Sequence, residues 1–72
     1  ASLTPDQKRA LSALLAGASP GEAAAGAGVM TEVFWEEINA LALDALGDTV
    51  YDAVSGSVYD EYAPGLRAHL EA

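Results

Sequence analysis

The sequence predicts a mainly α fold class, a small helical domain of three to four helices with a short β-hairpin, in the order of a winged helix-turn-helix. Three observations carry this. Two helix starts are marked by an N-cap, a proline and a capping-box partner, at Thr4-Pro5-Asp6-Gln7 and Ser19-Pro20-Gly21-Glu22. The longest helical pattern, Val29 to Leu46, holds the only Trp, the only Phe and the only Met. After Gly47 the apolar period shortens to that of a strand. With 72 residues the chain is one small domain, and with no Cys its core has no covalent or zinc staple. Ala1 and Ser2 read as a cut end, and the chain is expected to be excised from a longer protein.

The first helix is expected over Pro5 to Ala16, with Thr4 as N-cap, Gln7 completing the box and Gly17 ending it. Leu11, Leu14, Leu15 and Ala18 form its buried stripe. The second helix starts behind Ser19 and runs through Ala23, Ala24 and Ala25 toward Ala27. Its side chains are small, which suits close approach of another helix. Gly26 and Gly28 weaken it, each by about 1 kcal/mol relative to Ala.

The third helix is the core element. Thr31 is expected as its N-cap, with Met30 and Trp35 at the spacing of a hydrophobic staple and Gly47 as the left-handed stop. At about 100° per residue, Phe34, Ile38, Leu41 and Ala45 fall on one stripe, widened by Trp35, Ala42 and Leu46. Phe34, Trp35, Ile38 and Leu41 are expected to pack on Leu11, Leu14 and Leu15. The far side carries Glu36, Glu37 and Asp44, with Val33, Ala40 and Leu43 among them. An apolar centre with a charged rim is the pattern of a small docking site, so these six residues form the expected interaction face.

Thr49 to Val54 and Ser57 to Tyr59 alternate as two strands around a Ser55-Gly56 turn. Asp60 is the expected cap of a last helix over Glu61 to Leu70, with Tyr62, Leu66 and Leu70 on one face and Pro64 in the first turn.

Charge narrows the function. The chain has 3 basic and 11 acidic residues, a net −8. It repels phosphate backbones and anionic membranes. The third helix has no Arg or Lys to read a base edge, and the hairpin offers Asp52 where a wing would carry a cation. Neither nucleic acid nor membrane is therefore an expected partner, despite the helix order. No apolar run approaches the length of a membrane span, and the absence of Cys is compatible with the expected cytoplasmic location. Mutual repulsion favours a monomer.

Asp48, Asp52, Asp60 and Glu61 are the carboxylates nearest to a cation site, and a divalent-metal-binding acidic domain is the first alternative function. They match no ligand spacing, and an acidic edge that discourages strand aggregation accounts for them. No metal and no cofactor are expected. His69 is the single His, placed to suit a helix C-terminus and without a partner nucleophile. Ser55 and Ser57 read as turn chemistry. No Gly-rich phosphate loop is present, and neither Ser12 nor Ser19 has the Asp-Ser-Leu-type context at a helix start that an acyl carrier would require. No catalytic residue is assigned, and the chain is expected not to be an enzyme. A winged-helix DNA-binding domain is the more remote alternative.

The runs Gly28-Val29-Met30, Ile38-Asn39-Ala40-Leu41-Ala42-Leu43-Asp44 and Gly47-Asp48-Thr49-Val50-Tyr51-Asp52 resemble the C-terminal domain of TerB-type tellurite-resistance proteins (TerB-C). Leu3 to Leu15 resembles the family's leading helix, and Val58 to Tyr62 its closing strand and the start of its last helix. The resemblance covers most of the chain and consists of common residues without a catalytic signature. The Ala-rich second helix departs from it, lacking the aromatic often found there. The resemblance implies a non-catalytic accessory or regulatory domain of a bacterial stress-resistance protein. Such a domain would act by contact with a neighbouring domain of its parent protein or with another protein.

Overall fold

A computed structural model describes residues 3–71; Ala1 and Ser2, read above as a cut end, lie outside them. The architecture is the expected one, four helices and a two-stranded antiparallel hairpin, ordered α1 Pro5–Leu15, α2 Pro20–Ala24, α3 Thr31–Leu46, β1 Tyr51–Asp52, β2 Ser57–Val58 and α4 Ala63–Glu71.

Local chemistry sets the first two helices. The Gln7 N–H donates to Thr4 Oγ1 at 3.2 Å and the Thr4 N–H donates back to Gln7 Oε1 at 2.9 Å. Gln7 is itself buried, so this capping residue also packs. At the far end the Gly17 N–H bonds the Leu14 carbonyl and the Ala18 N–H bonds that of Ala13, a Schellman closure that needs Gly17 at φ 108°. α1 thus stops at Leu15, one residue short of expectation.

Ser19 and Glu22 repeat the box on α2. Hydrogen bonds from the Ser19 hydroxyl and backbone N–H hold the Glu22 carboxyl below its ordinary pKa. The helix ends at Ala24, because Ala25 is extended and Gly26 and Gly28 turn left-handed. Ala25 and Ala27, expected to prolong it, lie outside it.

α3 begins one residue earlier than Thr31 would set it. Met30 is the N-cap, with extended backbone, a carbonyl that accepts from the Phe34 N–H, and no side-chain cap bond. Thr31 is therefore the first helical residue rather than the cap. Met30 is 72% exposed and staples nothing. Gly47 closes the helix at φ 78° as expected, its N–H bonding the Leu43 carbonyl.

The hairpin pairs Tyr51 with Val58 and Asp52 with Ser57. It is shorter than the alternation suggested, because Asp52 starts a turn. Asp52 Oδ1 accepts from the Val54 N–H at 2.9 Å and the Asp52 carbonyl accepts from the Gly56 N–H at 2.8 Å. A side chain that captures the backbone two residues on competes with the strand ladder. The turn takes residues 53–56, and Val54, expected in a strand, is 97% exposed at its tip. Tyr62 and Ala63 N–H groups both donate to the Tyr59 carbonyl, which starts α4 two residues later than Glu61. Tyr59 rather than Asp60 thus organises the approach to α4, and Pro64 falls in the first turn, where it is tolerated.

α1 packs on α2, α4 and β2; α2 packs on α3, and α3 on β1. The core joins Ala10, Leu11 and Leu14 to Ala24, Phe34, Trp35, Ile38, Val50, Tyr51 and Val58. Trp35 is its centre. Its ring stacks on Tyr51 with centroids 4.6 Å apart, Phe34 meets it edge-on at 5.3 Å, and its Nε1–H donates to the Pro20 carbonyl at 3.2 Å. Asn39 fastens the hairpin to α3. Its Oδ1 accepts from the Val50 and Tyr51 N–H groups at 3.1 and 2.9 Å, and its Nδ2–H donates to the Tyr51 carbonyl at 2.9 Å. These bonds take the place of a third strand for β1.

Candidate functional site

The apolar stripe of α3 is covered only along its first half. Phe34, Trp35 and Ile38 are buried, Leu41 and Ala42 are half-buried, and Ala45 and Leu46 are exposed. Leu41, expected in the core, and Ala45 and Leu46, expected beside it, instead line a groove of about 600 Å³. The cause is where α4 lands. α4 packs chiefly on α1, and Arg67 Nη2 ties it there by donating to the Leu15 carbonyl at 3.1 Å. Such a cation at the last turn of a helix satisfies a carbonyl that has no helical partner. Small residues, Ala42 and Ala45 on α3 and Gly65 on α4, leave the gap unfilled.

Leu11, Ile38 and Val50 form the floor of the groove, and Tyr62 and Leu66 its α4 wall. Its lining is mostly apolar, with Lys8, Glu61 and His69 among the lining residues. On α3, Glu37 and Asp44 stand four residues before and three after Leu41, so they follow the same edge of the helix. Both are exposed. The Tyr62 hydroxyl donates to Asp48 Oδ2 at 2.7 Å, which joins the loop after α3 to the start of α4 at one end of the groove. That bond, with smaller contributions from burial and from the charges of Asp48 and Glu61, raises the Tyr62 pKa above its ordinary value.

The expected interaction face lies where the helical period put it. Val33, Glu36, Glu37, Ala40, Leu43 and Asp44 are all exposed, with Val33 at 41% and Leu43 at 55%. They do not form one compact patch, since Val33 and Leu43 are about 15 Å apart along the helix axis with Glu36 and Glu37 between them. Exposed Val29 and Met30 extend the Val33 end. The period reports which way a side chain points and does not report the groove, which depends on where α4 packs.

The four hairpin carboxylates are not gathered. Asp48 accepts from the Thr49 N–H at 2.8 Å and from Tyr62, while Asp52 accepts from the Val54 N–H and from the Ser55 hydroxyl. Asp60 and Glu61 are exposed. Among the described residues no three His, Asp or Glu side chains meet as a metal-holding group. Ser55 and Ser57 hydroxyls bond each other at 2.8 Å beside the turn. His69 sits in the last turn of α4, as expected, and also lines the groove. Among the described residues no helix is long and apolar enough to cross a membrane.

Comparison with known proteins finds no matching family model, curated protein or solved structure.

Proposed function

We propose that this chain is a non-catalytic accessory domain that acts in the cytoplasm by protein–protein or interdomain contact. The observation that carries this reading is the groove of about 600 Å³ beside the second half of α3. Apolar surface left open between helices, with charged residues at its margin, suits docking of another polypeptide. The resemblance to TerB-C points the same way, toward a regulatory part of a bacterial stress-resistance protein. The net −8 charge favours a basic partner and opposes nucleic acid.

Site-specific photo-crosslinking in the native host tests the contact. Probes would sit at Ala45 in the groove, at Leu43 on the outer face of α3 and at Val54 on the hairpin tip. Crosslinks to one defined polypeptide segment from position 45 or 43, and none from 54, are expected. The same background at all three positions would remove the contact reading. The stress role has its own test, since deleting the coding segment should lower survival under tellurite, and unchanged survival would detach it from the TerB-C resemblance.

A further inference from the structure

We infer that the groove between α1, α3 and α4 seats an amphipathic helix of a partner, apolar on one face and carrying Lys or Arg on the edge that meets Glu37, Asp44 and Glu61. This rests on the contact reading above and names the occupant. Ile38, Leu41, Ala42 and Ala45 recur at the spacing of one helix face, so α3 presents a seam along the groove. Ile38 is buried beneath it, and from Leu41 to Leu46 the open seam rises about 7.5 Å, more than one turn of a facing helix. Ala42 and Ala45 let its backbone come close, and Leu46, 59% exposed, offers apolar area beside them.

Charge selects among occupants. Glu37 and Asp44 flank Leu41 on the exposed edge of α3, and Glu61 lies among the lining residues. The two arginines are engaged elsewhere, Arg9 with Asp6 at 3.0 Å and Arg67 with the Leu15 carbonyl. Lys8 and His69 line the groove from α1 and α4, and Glu37 and Asp44 stand outside its lining, exposed on α3 beside Leu41. A second copy would bring another net −8 against the first. A small anionic amphiphile would have Lys8 for its head but would enter against Glu61 and the field of the whole chain. A basic amphipathic helix matches both the apolar seam and the net −8 charge of the chain around it.

The test is amide shift mapping and calorimetry on the 72-residue chain. The probe is a synthetic Leu/Lys peptide about four helical turns long, with Leu on one face. A Leu/Glu peptide, a Leu/Lys peptide with the face scrambled, and dodecanoate are the controls. The Leu/Lys peptide should move Leu41, Ala45, Leu46 and Leu66, and the controls should not. Ala45→Arg places bulk and like charge at an exposed groove position and should weaken binding about tenfold or more. Val54→Glu, at the exposed hairpin tip, should leave binding unchanged. Shifts centred on Val33 and Leu43 would overturn the groove seat while keeping the contact reading. Groove binding by the Leu/Glu peptide or dodecanoate in place of the Leu/Lys peptide would overturn the charge assignment. A dimer whose interface maps to the groove would make the occupant a second copy, against this inference. Binding by none of the peptides would overturn the helix as occupant and leave the contact reading to the crosslinks.

Discussion

In the first half of α3, Phe34, Trp35 and Ile38 are at most 4% exposed; in the second half Leu46 is 59% exposed and Ala45 also faces outward. The two halves share one apolar stripe, and the smaller Ala42 and Ala45 of the second are only part of the difference. The rest lies in what arrives opposite. The first half meets α2 through the Trp35–Pro20 hydrogen bond and meets β1 through the Tyr51 ring and the Asn39 bonds. The second half faces α4, which is held chiefly against α1. A helical period names the side that seeks cover, and tertiary packing decides whether cover comes.

Trp35→Ala should have the largest effect. It removes the stacked ring and its hydrogen bond from the covered half, and truncating a buried Trp costs about 3–5 kcal/mol. A domain this small has a total stability of similar size, so the variant should show no cooperative thermal melt by circular dichroism. A retained sharp transition would break the contrast between the halves.

Asn39→Ala comes next. It leaves the Val50 and Tyr51 N–H groups without their partner, at a cost of about 1–3 kcal/mol for a buried group left unsatisfied. The melting temperature should fall and amide exchange at Val50 and Tyr51 should accelerate. Unchanged exchange there would show that Asn39 does not hold the hairpin on α3.

Alkaline pH should act next. Burial and then the charge of Asp52 raise the Tyr51 pKa above 10.0, and chiefly the Asp48 hydrogen bond raises that of Tyr62. A folded-state pKa above the unfolded one means that the folded chain holds its proton more tightly. The stabilisation is therefore complete below about pH 10 and is lost as pH rises through the folded pKa values. Denaturant midpoints should be flat up to that pH and fall beyond it. Tyr62→Phe should reduce the fall without removing it, and an equal fall in this variant would exclude Tyr62 as a contributor.

Leu46→Glu and Leu43→Glu should have the smallest effect, within about 0.5 kcal/mol of the parent chain, as for other exposed substitutions. Chemical denaturation checks this. Unfolding by Leu43→Glu would make Leu43 a core residue and put the phase of α3 in error. Unfolding by Leu46→Glu would mean that the groove is closed in solution.

The caps were legible because they are local. Thr4 with Gln7 and Ser19 with Glu22 need only three residues of separation, and Gly47 needs only its own φ. The Asp52 turn was also within reach, since an Asp two residues before Val54 and four before a Gly is turn chemistry that the strand alternation masked. Asn39 gave no such signal. A lone amide on a helix acquires its purpose only when a strand edge arrives 11 and 12 residues later. Arg67 is further from local reading, as its acceptor lies 52 residues away. The groove follows from that distant placement of α4, which is why the apolar period of α3 led to a full core and the structure has a half-covered one.

The single Trp has a consequence for observing this domain. Trp35 lies against Tyr51 and Phe34 in the covered half, 2% exposed, and is not among the residues that line the groove. Its emission should be blue-shifted and should stay so until the whole domain opens. Trp35 emission, excited apart from the tyrosines, is therefore a faithful gauge of unfolding, and its ring does not touch the groove, which Tyr62 lines. A titration followed by Trp35 would register nothing while a ligand filled the space beside Leu46, whereas an aromatic reporter introduced at Ala45 would register it directly.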